Sequence, residues 1–280
     1  MNAKIHDSKP GCQVRAAFTL AELLVVIAIL ATLSAMLLPA LAGTRSSILC
    51  FQCLENQKRL VRASILYAND YNGAVVLFAA AGGFWSGPSP TISGGMTKAQ
   101  AQAAVNAGLT NHNSNLLFQY APSLSIYHCP GDRRDQLTPG SGWAYDSYSK
   151  TQNVGGDPYN SYWGAGATYT RISAITNTSR TACFTEDADW RSYSHGTWVV
   201  QWSAAAGSFL WSDAPAMFHG NDSTVAFADG HAELHAWQSA ALISAGLASA
   251  NGVNVYGFVG PSSGPDYLFV HDFYRFPGWR

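Results

Sequence analysis

Charge is scarce in this sequence of 280 residues. Charged residues make up 12% of it, about half the share of roughly 25% found in a typical soluble domain. The formal net charge is −1, so no strong overall field favours binding to nucleic acid. Gly, Ser, Tyr and Trp are plentiful instead. This composition indicates an extracytoplasmic, turn-rich β protein, and neither an enzymatic activity nor a nucleic-acid partner is expected.

One long stretch lacks charge altogether. The 22 residues between Glu22 and Arg45 carry no formal charge. A helix of this length covers roughly 33 Å, which is enough for the apolar core of a bilayer. Glu22 lies at the start of the stretch, and a carboxylate in hydrocarbon is costly enough to indicate a function. The excess of basic residues in the preceding segment favours a cytoplasmic location for the N-terminal end.

The residues around Glu22 follow a known pattern. After a short basic leader, residues 17–24 read Ala-Phe-Thr-Leu-Ala-Glu-Leu-Leu. This resembles the N-terminus of type IV pilins and type II secretion pseudopilins, which usually have Gly where this chain has Ala17. The resemblance implies that a prepilin peptidase removes residues 1–17 and methylates the new amine of Phe18. It also implies that the Glu22 carboxylate pairs with the N-terminal ammonium of a neighbouring subunit in a filament.

Two other interpretations of the N-terminus stay open. The segment could be an ordinary membrane anchor with an incidental Glu22. Alternatively, Ala40–Leu41–Ala42 resembles a signal-peptidase site, which would release a secreted protein. The apolar run that begins at Phe18 is about 21 residues long, longer than the 7–15 residues usual for a signal peptide.

The helical pattern continues beyond the apolar stretch. Apolar residues recur at helical spacing as far as Asp70, and Asn72–Gly73 is a stop signal. The expected domains are therefore a leader at 1–17, a helix at 18–72 and a β-rich extracytoplasmic part at 73–280. The helix is expected to cross the membrane over about 18–41 and to be amphipathic afterwards. By resemblance the fold is α+β and pilin-like, with the outer half of the helix packed on a globular head in the periplasm.

Three further motifs follow in order: Cys53-Leu-x-Asn after the predicted membrane segment, Cys129-Pro-x-Asp in mid-chain, and His219 followed by Asp229–Gly230. They resemble a subgroup of large bacterial pilin-like proteins with a C-terminal H-X9-DG motif. The resemblance implies a disulfide between Cys53 and Cys129. If Cys12 leaves with the leader, four cysteines remain, an even number that suits an oxidising compartment.

A β-hairpin is the clearest local prediction in the C-terminal half. Two strand-like runs flank Asp229–Gly230, and a two-residue turn there would pair Phe227 with Ala232 and Val225 with Leu234. The alternatives are an interaction patch or a metal site that uses His219, Asp229, His231, Glu233 or His235. A metal shared by His231 and His235 is disfavoured, because these two residues would lie about 13 Å apart along one strand.

Other candidate chemistry is weaker. Gly260–Gly264 matches G-x-S-x-G, but Pro265 argues against the helix that a nucleophile elbow needs. Glu186, Asp187 and Asp189 are weak calcium candidates without EF-hand spacing, and no other metal or cofactor is expected. A zinc site of the C-x-x-C type built on Cys50 and Cys53 lacks a second pair with suitable spacing.

The remaining elements are predicted from local pattern. A helix capped by Thr97 is expected at 98–109. A long loop is expected at 139–166. Strands are expected at 75–78, 180–186, 196–202, 253–259 and 267–270.

The expected function is that of a structural subunit in a filament or pseudopilus of a type II secretion or type IV pilus-like system. Its expected partners are a prepilin peptidase, other pilin-like subunits and the inner membrane. The alternative is a membrane-tethered or secreted surface-binding protein, with glycans as one possible ligand.

Overall fold

The computed structural model describes residues 19–79, 84–156, 168–191, 194, 196–203 and 208–277. Within these ranges, the description omits the side chains of 36–47 and 202–203. The predicted leader and the predicted cleavage site at Ala17 and Phe18 lie outside the described residues. The chain divides into two units, Met1–Arg45 and Ser46–Arg280. The second unit is called the head below.

Four helices and seven strands are assigned in the described residues. The helices are α1 (Leu20–Asp70), α2 (Lys98–Leu109), α3 (Ala240–Ala250) and α4 (Pro265–Phe273). The strands are β1 (Tyr148–Thr151), β2 (Ala182–Glu186), β3 (Thr197–Trp198), β4 (Val200–Ser203), β5 (Ser208–Trp211), β6 (Asp222–Phe227) and β7 (Ala232–Ala236). Short 3-10 turns cover Leu124–Tyr127, Arg134–Gln136, Ile172–Ala174 and Thr178–Arg180.

The long helix α1 ends where the sequence predicts. Asn72 and Gly73 both adopt positive φ, and the Gly73 N–H donates to the carbonyl of Ala68, so the last carbonyls of the helix are satisfied. The part of α1 inside the head buries Leu60 and Val61 in its core.

The membrane prediction concerns the first part of α1. Among the helices of the described residues, none is long and apolar enough to cross a membrane. The predicted membrane segment at about 18–41 includes side chains outside the description, and it stays a prediction.

The main sheet has five strands in the order β3-β1-β2-β6-β7. Its neighbours are antiparallel apart from β1 and β3, which run parallel. Strands β4 and β5 form a separate antiparallel pair. Helices and a mixed sheet in one head confirm the predicted α+β class. The finer prediction of a pilin-like fold stays a prediction.

The central strands are covered on both faces. In β6, Ala226 belongs to a core cluster shared with α1 and α2, whereas Val225 and Phe227 belong to a second cluster with residues of α3 and α4. The second cluster is rich in aromatic side chains, including Trp198 and Trp211. Because both faces of β6 are buried, its sequence shows little alternation between polar and apolar residues.

Several predicted elements are confirmed and others are wrong. Helix α2 has the predicted bounds, and Thr97 forms a capping box with Gln100. The strand predicted at 180–186 is confirmed as β2, and the one at 196–202 is two strands in different sheets. The strand predicted at 75–78 is wrong, because these residues form no strand; the preceding Ala74 forms an isolated bridge with Arg171. The loop predicted at 139–166 contains β1.

The C-terminal strand predictions are wrong. Residues 253–259 form turns and irregular structure, and 267–270 lie within α4. Gly264 has φ 93° and Pro265 occupies the first turn of α4, where its fixed φ suits a helix and no N–H is needed. The argument from Pro265 against a helix was therefore wrong. However, no strand leads into Gly260–Gly264, as a nucleophile elbow would require.

The predicted hairpin exists, but its predicted register is wrong by one residue. Strand β6 pairs Ala226 with Ala232 and Val225 with Glu233, so the predicted pairs do not form. The loop has three residues, because the Gly230 N–H donates to the carbonyl of Phe227 and Gly230 has φ 98°. This is a turn followed by a left-handed glycine, the commonest three-residue hairpin loop.

Gly230→Ala is expected to lower the free energy of unfolding by about 1–2 kcal/mol, the cost of left-handed backbone for a residue with a Cβ. The added Cβ would meet only the Cδ1 atom of Ile65 at 3.8 Å, so the cost arises from the backbone. Urea unfolding measures it. Gly95→Ala, where the Cβ meets nothing within 4 Å and φ is ordinary, is the matched control, and equal costs for the two variants would contradict the assignment.

Candidate functional site

The first candidate site residue, Glu22, is part of a helix cap. The Thr19 N–H and hydroxyl donate to Glu22 Oε2 at 2.8 and 2.7 Å, and the Glu22 N–H donates to Thr19 Oγ1 at 3.2 Å. This is a capping box at the start of α1. The Thr-x-x-Glu spacing that signals it is visible in the sequence. The cap accounts locally for Glu22, so any role in assembly needs an experiment that separates charge from capping.

The second candidate site brings the three downstream motifs together. Cys53 on α1 and Cys129 are joined as a disulfide with a Cα–Cα distance of 5.4 Å. His219 Nε2 lies 3.2 Å from the Cys129 sulfur and 3.0 Å from Glu186 Oε1. The remaining cysteines of the described chain, Cys50 and Cys183, are buried thiols. Burial raises their pKa values to about 11 and about 12, which keeps both sulfurs protonated at neutral pH.

His219 is held tightly in this second site. Burial lowers its pKa, but the hydrogen bond and charge of Glu186, with the charge of Asp222, outweigh that effect and the pKa is raised. A Cβ at Gly131 would come within 2.8 Å of the His219 ring. The small residue after the Cys-Pro pair therefore makes room for the histidine of the third motif.

The two ends of the H-X9-DG motif make separate contacts. His219 contacts Cys129 and Glu186, whereas Asp229 Oδ1 accepts the N–H of His231 at 3.1 Å and lies 2.6 Å from its Nδ1. His235 contacts Asp266 at 3.0 Å. The hairpin histidines thus have carboxylate partners of their own. Neither His231 nor His235 belongs to the group of potential metal ligands that contains His219.

A buried arginine was not anticipated from the sequence. Arg134 is 1% exposed, and its Nη2 and Nε bond to the Asp132 carboxylate at 2.7 and 3.0 Å. Its guanidinium also donates to the carbonyls of Asp146, Asp187 and Asp189. The aspartate of the Cys-Pro-x-Asp turn is therefore the counter-ion of a cation that connects three chain segments.

The calcium candidates separate in the structure. Glu186 faces His219, while the Asp187 carboxylate accepts the Ser149 hydroxyl at 2.7 Å and Asp189 pairs with Arg191. Burial, with the charge of Asp189, raises the pKa of Asp187 to about 7. In the described part of the chain, one group of three or more potential metal ligands is found, and it contains neither Asp187 nor Asp189. Calcium binding stays a prediction.

Asp187 and Asp189 instead line a cleft of about 230 Å³ on the head. Trp190 and Tyr256 also line it and are 44% and 62% exposed. Buried hydroxyls of Thr197 and Ser212 border the same cleft. Nothing in the sequence indicates that these residues, which lie in separate segments of the chain, line one cleft.

Comparison with known proteins adds evidence for the N-terminus. Residues 13–38 match the family model of the prokaryotic N-terminal methylation motif. The match includes Ala17, Phe18 and Glu22, and it supports the type IV pilin and pseudopilin class. No curated protein and no solved structure shows significant similarity to the chain. The subgroup suggested by the downstream motifs stays a prediction.

Proposed function

We propose that the chain is a structural pilin-like subunit, processed by a prepilin peptidase and assembled into a filament or pseudopilus of a type II secretion or type IV pilus-like system. In this function the leader ends at Ala17, Phe18 becomes the methylated N-terminus, and Glu22 pairs with the ammonium group of a neighbouring subunit. The first part of α1 crosses the inner membrane before assembly, and the head lies in the periplasm.

The match of residues 13–38 to the methylation motif carries this proposal. The position of Glu22 supports it, because the carboxylate lies within the first turn of α1, close to where the new N-terminus would be. A negative charge there also interacts favourably with the positive end of a helix dipole. A neighbouring subunit would bring a full positive charge to the same place, and in hydrocarbon a charge left without a partner is costly.

Substitution of Glu22 tests the proposal and separates assembly from capping. Glu22→Gln keeps an oxygen that can accept from Thr19, and Gln suits the same capping position, but it removes the charge. Glu22→Ala removes both. We expect both variants to be processed and to yield no sheared filaments, since a charge is what the neighbouring ammonium requires. Filaments from the Glu22→Gln chain would show that Glu22 serves as a cap only.

Intact-mass analysis of the mature chain provides the second arm of this test. We expect loss of residues 1–17 and a gain of one methyl group. A chain that still begins at Met1, or one cleaved after Ala42 and therefore without the first part of α1, would overturn the proposal. The mass measurement needs no filament, so it tests processing separately from assembly.

A surface-binding protein is the second candidate function, and the cleft on the head favours it. Exposed Trp190 and Tyr256 beside carboxylates and hydroxyls are the kind of groups that stack on and hydrogen-bond to a sugar. Surface binding that persists in the Glu22→Ala chain, with no filaments made by the wild-type chain, would favour this candidate over assembly.

A further inference from the structure

Four side chains with metal-ligating atoms meet inside the head. The ligand atoms of Cys53, Cys129, Glu186 and His219 all lie within 4.8 Å of one another, and all four residues are buried. They come from α1, the turn after Tyr127, the end of β2 and the segment before β6. Two sulfurs, an imidazole nitrogen and a carboxylate oxygen are donor types that zinc takes in proteins.

One ring nitrogen faces two of the other donors. His219 Nε2 lies 3.2 Å from the Cys129 sulfur and 3.0 Å from Glu186 Oε1. A ring nitrogen that carries one hydrogen can donate to only one of these two neighbours, whereas a shared metal ion would bind all three atoms. Ligands bonded to a tetrahedral zinc at about 2.0–2.3 Å are separated by about 3.3–3.8 Å. The two distances from Nε2 are slightly shorter than this range, so small movements of the side chains would allow the three atoms to share one ion.

Contacts outside the four residues orient them. Glu186 Oε2 accepts the Thr224 N–H at 3.0 Å, which leaves Oε1 facing His219. The Gly131 N–H donates to the Cys129 sulfur at 3.3 Å, a contact that favours a thiolate. Hydrogen bonds of this kind fix the ligands at metal sites and tune their basicity.

We propose that, while Cys53 and Cys129 are thiols, these four side chains bind one zinc ion, and that formation of the disulfide releases it. Binding displaces the two thiol protons, and His219 coordinates through an unprotonated Nε2. On oxidation, the two thiolates give two electrons to a disulfide oxidant, the S–S bond forms, the oxidant takes up two protons as a dithiol, and Zn²⁺ leaves. Soft sulfur donors disfavour calcium or magnesium at this site.

The test uses the full chain purified in detergent, with and without treatment by a phosphine reductant, which converts the disulfide to two thiols as it becomes a phosphine oxide. Each form is equilibrated with Zn²⁺ alone, freed of excess ion and analysed for zinc content. We expect one zinc ion per reduced chain and none on the oxidised chain. Replacement by Co²⁺ is expected to give the visible absorption of tetrahedral cobalt with thiolate ligands.

Variants decide whether these residues hold the ion. His219→Ala and Glu186→Gln in the reduced chain are each expected to weaken zinc binding by at least about tenfold, while Cys50→Ala, at a buried thiol outside the group, binds as the wild type does. Equal zinc on the reduced and oxidised chains, or undiminished binding by the His219→Ala and Glu186→Gln chains, would overturn the proposal. Absence of zinc from the folded, reduced wild type would do the same.

This site does not depend on filament assembly. The Glu22→Gln chain is expected to bind zinc as the wild type does, so failure of one proposal leaves the other standing.

Discussion

Replacing Arg134 with methionine is expected to lower the free energy of unfolding by about 3–5 kcal/mol, the cost of breaking a buried ion pair by removing one partner. The side chains of Arg134 and Asp132 are 1% and 0% exposed, so the substitution leaves a carboxylate charged, buried and without its cation. The carbonyls of Asp146, Asp187 and Asp189 lose a donor at the same time. Burial lowers the pKa of Arg134, but the charge and hydrogen bonds of Asp132, with the charges of Asp146 and Asp187, outweigh this effect. The pKa is therefore raised and the guanidinium stays charged.

Urea unfolding of the variant measures the loss. The neighbouring Arg133 is exposed, and Arg133→Met is the matched control, with an expected change within about 0.5 kcal/mol. Adding Asp132→Asn to Arg134→Met should recover part of the loss, because the unpaired charge is then gone. An Arg134→Met chain as stable as the Arg133→Met chain would show that this ion pair does not hold the head together.

Local signals account for the elements that the sequence predicts well. The end of α1, the capped helix α2 and the buried strand β2 each depend on residues adjacent in sequence: Asn72–Gly73, Thr97 with Gln100, and the apolar run before Glu186. These signals act over one or two turns of chain. Contacts with residues distant in sequence stabilise these elements further, but the local signals are sufficient to predict them.

The wrong predictions share a different cause. Tyr267–Val270 has the composition of a strand, but Tyr267, Val270 and Phe273 are buried at helical spacing in the aromatic core, and tertiary packing decides such short apolar runs. The hairpin register was wrong because Asp229–Gly230 fits both a two-residue and a three-residue loop. On its other side β6 pairs with β2, which lies far away in sequence, so the residues around the turn do not by themselves decide between the two loops.

The candidate site shows the same limit. The resemblance of the motifs brought Cys53, Cys129 and His219 to attention, but Glu186 was linked with its neighbours Asp187 and Asp189. The antiparallel pairing of β2 with β6 carries Glu186 to His219 instead. Arg134 was missed for a related reason, since nothing in the residues around it shows that it will be buried with Asp132.

Lys150→Met is expected to raise the free energy of unfolding at pH 7 by on the order of 3 kcal/mol. Lys150 lies in β1 and is 1% exposed. Burial lowers its pKa to about 8, so at pH 7 the folded protein holds a buried ammonium group. The ring of Phe184, with its centroid 5.2 Å from Nζ, offsets only part of this cost. Methionine has a similar length and no charge, so it should fill the same space more favourably.

The pH dependence of stability gives the sharper measurement. Between about pH 8 and 10.5 the unfolded chain holds a proton on Lys150 that the folded chain does not, so the contribution of Lys150 to stability rises with pH across this window. The buried thiols of Cys50 and Cys183, whose pKa values are raised from 9.0 to about 11 and about 12, act in the opposite direction above about pH 9. Burial raises the pKa values of Asp146 and Asp187 to about 7, so the folded chain holds extra protons between about pH 4 and 7 and stability should fall there.

Because several buried groups change the stability in opposite directions above pH 7, the difference in unfolding free energy between the wild type and the Lys150→Met chain isolates the contribution of Lys150. Urea unfolding from pH 5 to 10 measures the curve. The Lys150→Met chain should be more stable than the wild type by the largest margin below pH 8, and this margin should shrink towards pH 10 as the folded wild type loses its buried charge. The fall between about pH 4 and 7 should be common to both chains, because the two aspartates are unchanged. Lys58→Met, at a partly exposed lysine of α1, is the matched control. A difference between the two chains that stays constant from pH 7 to pH 10 would show that Lys150 does not lose a proton inside the folded head over this range.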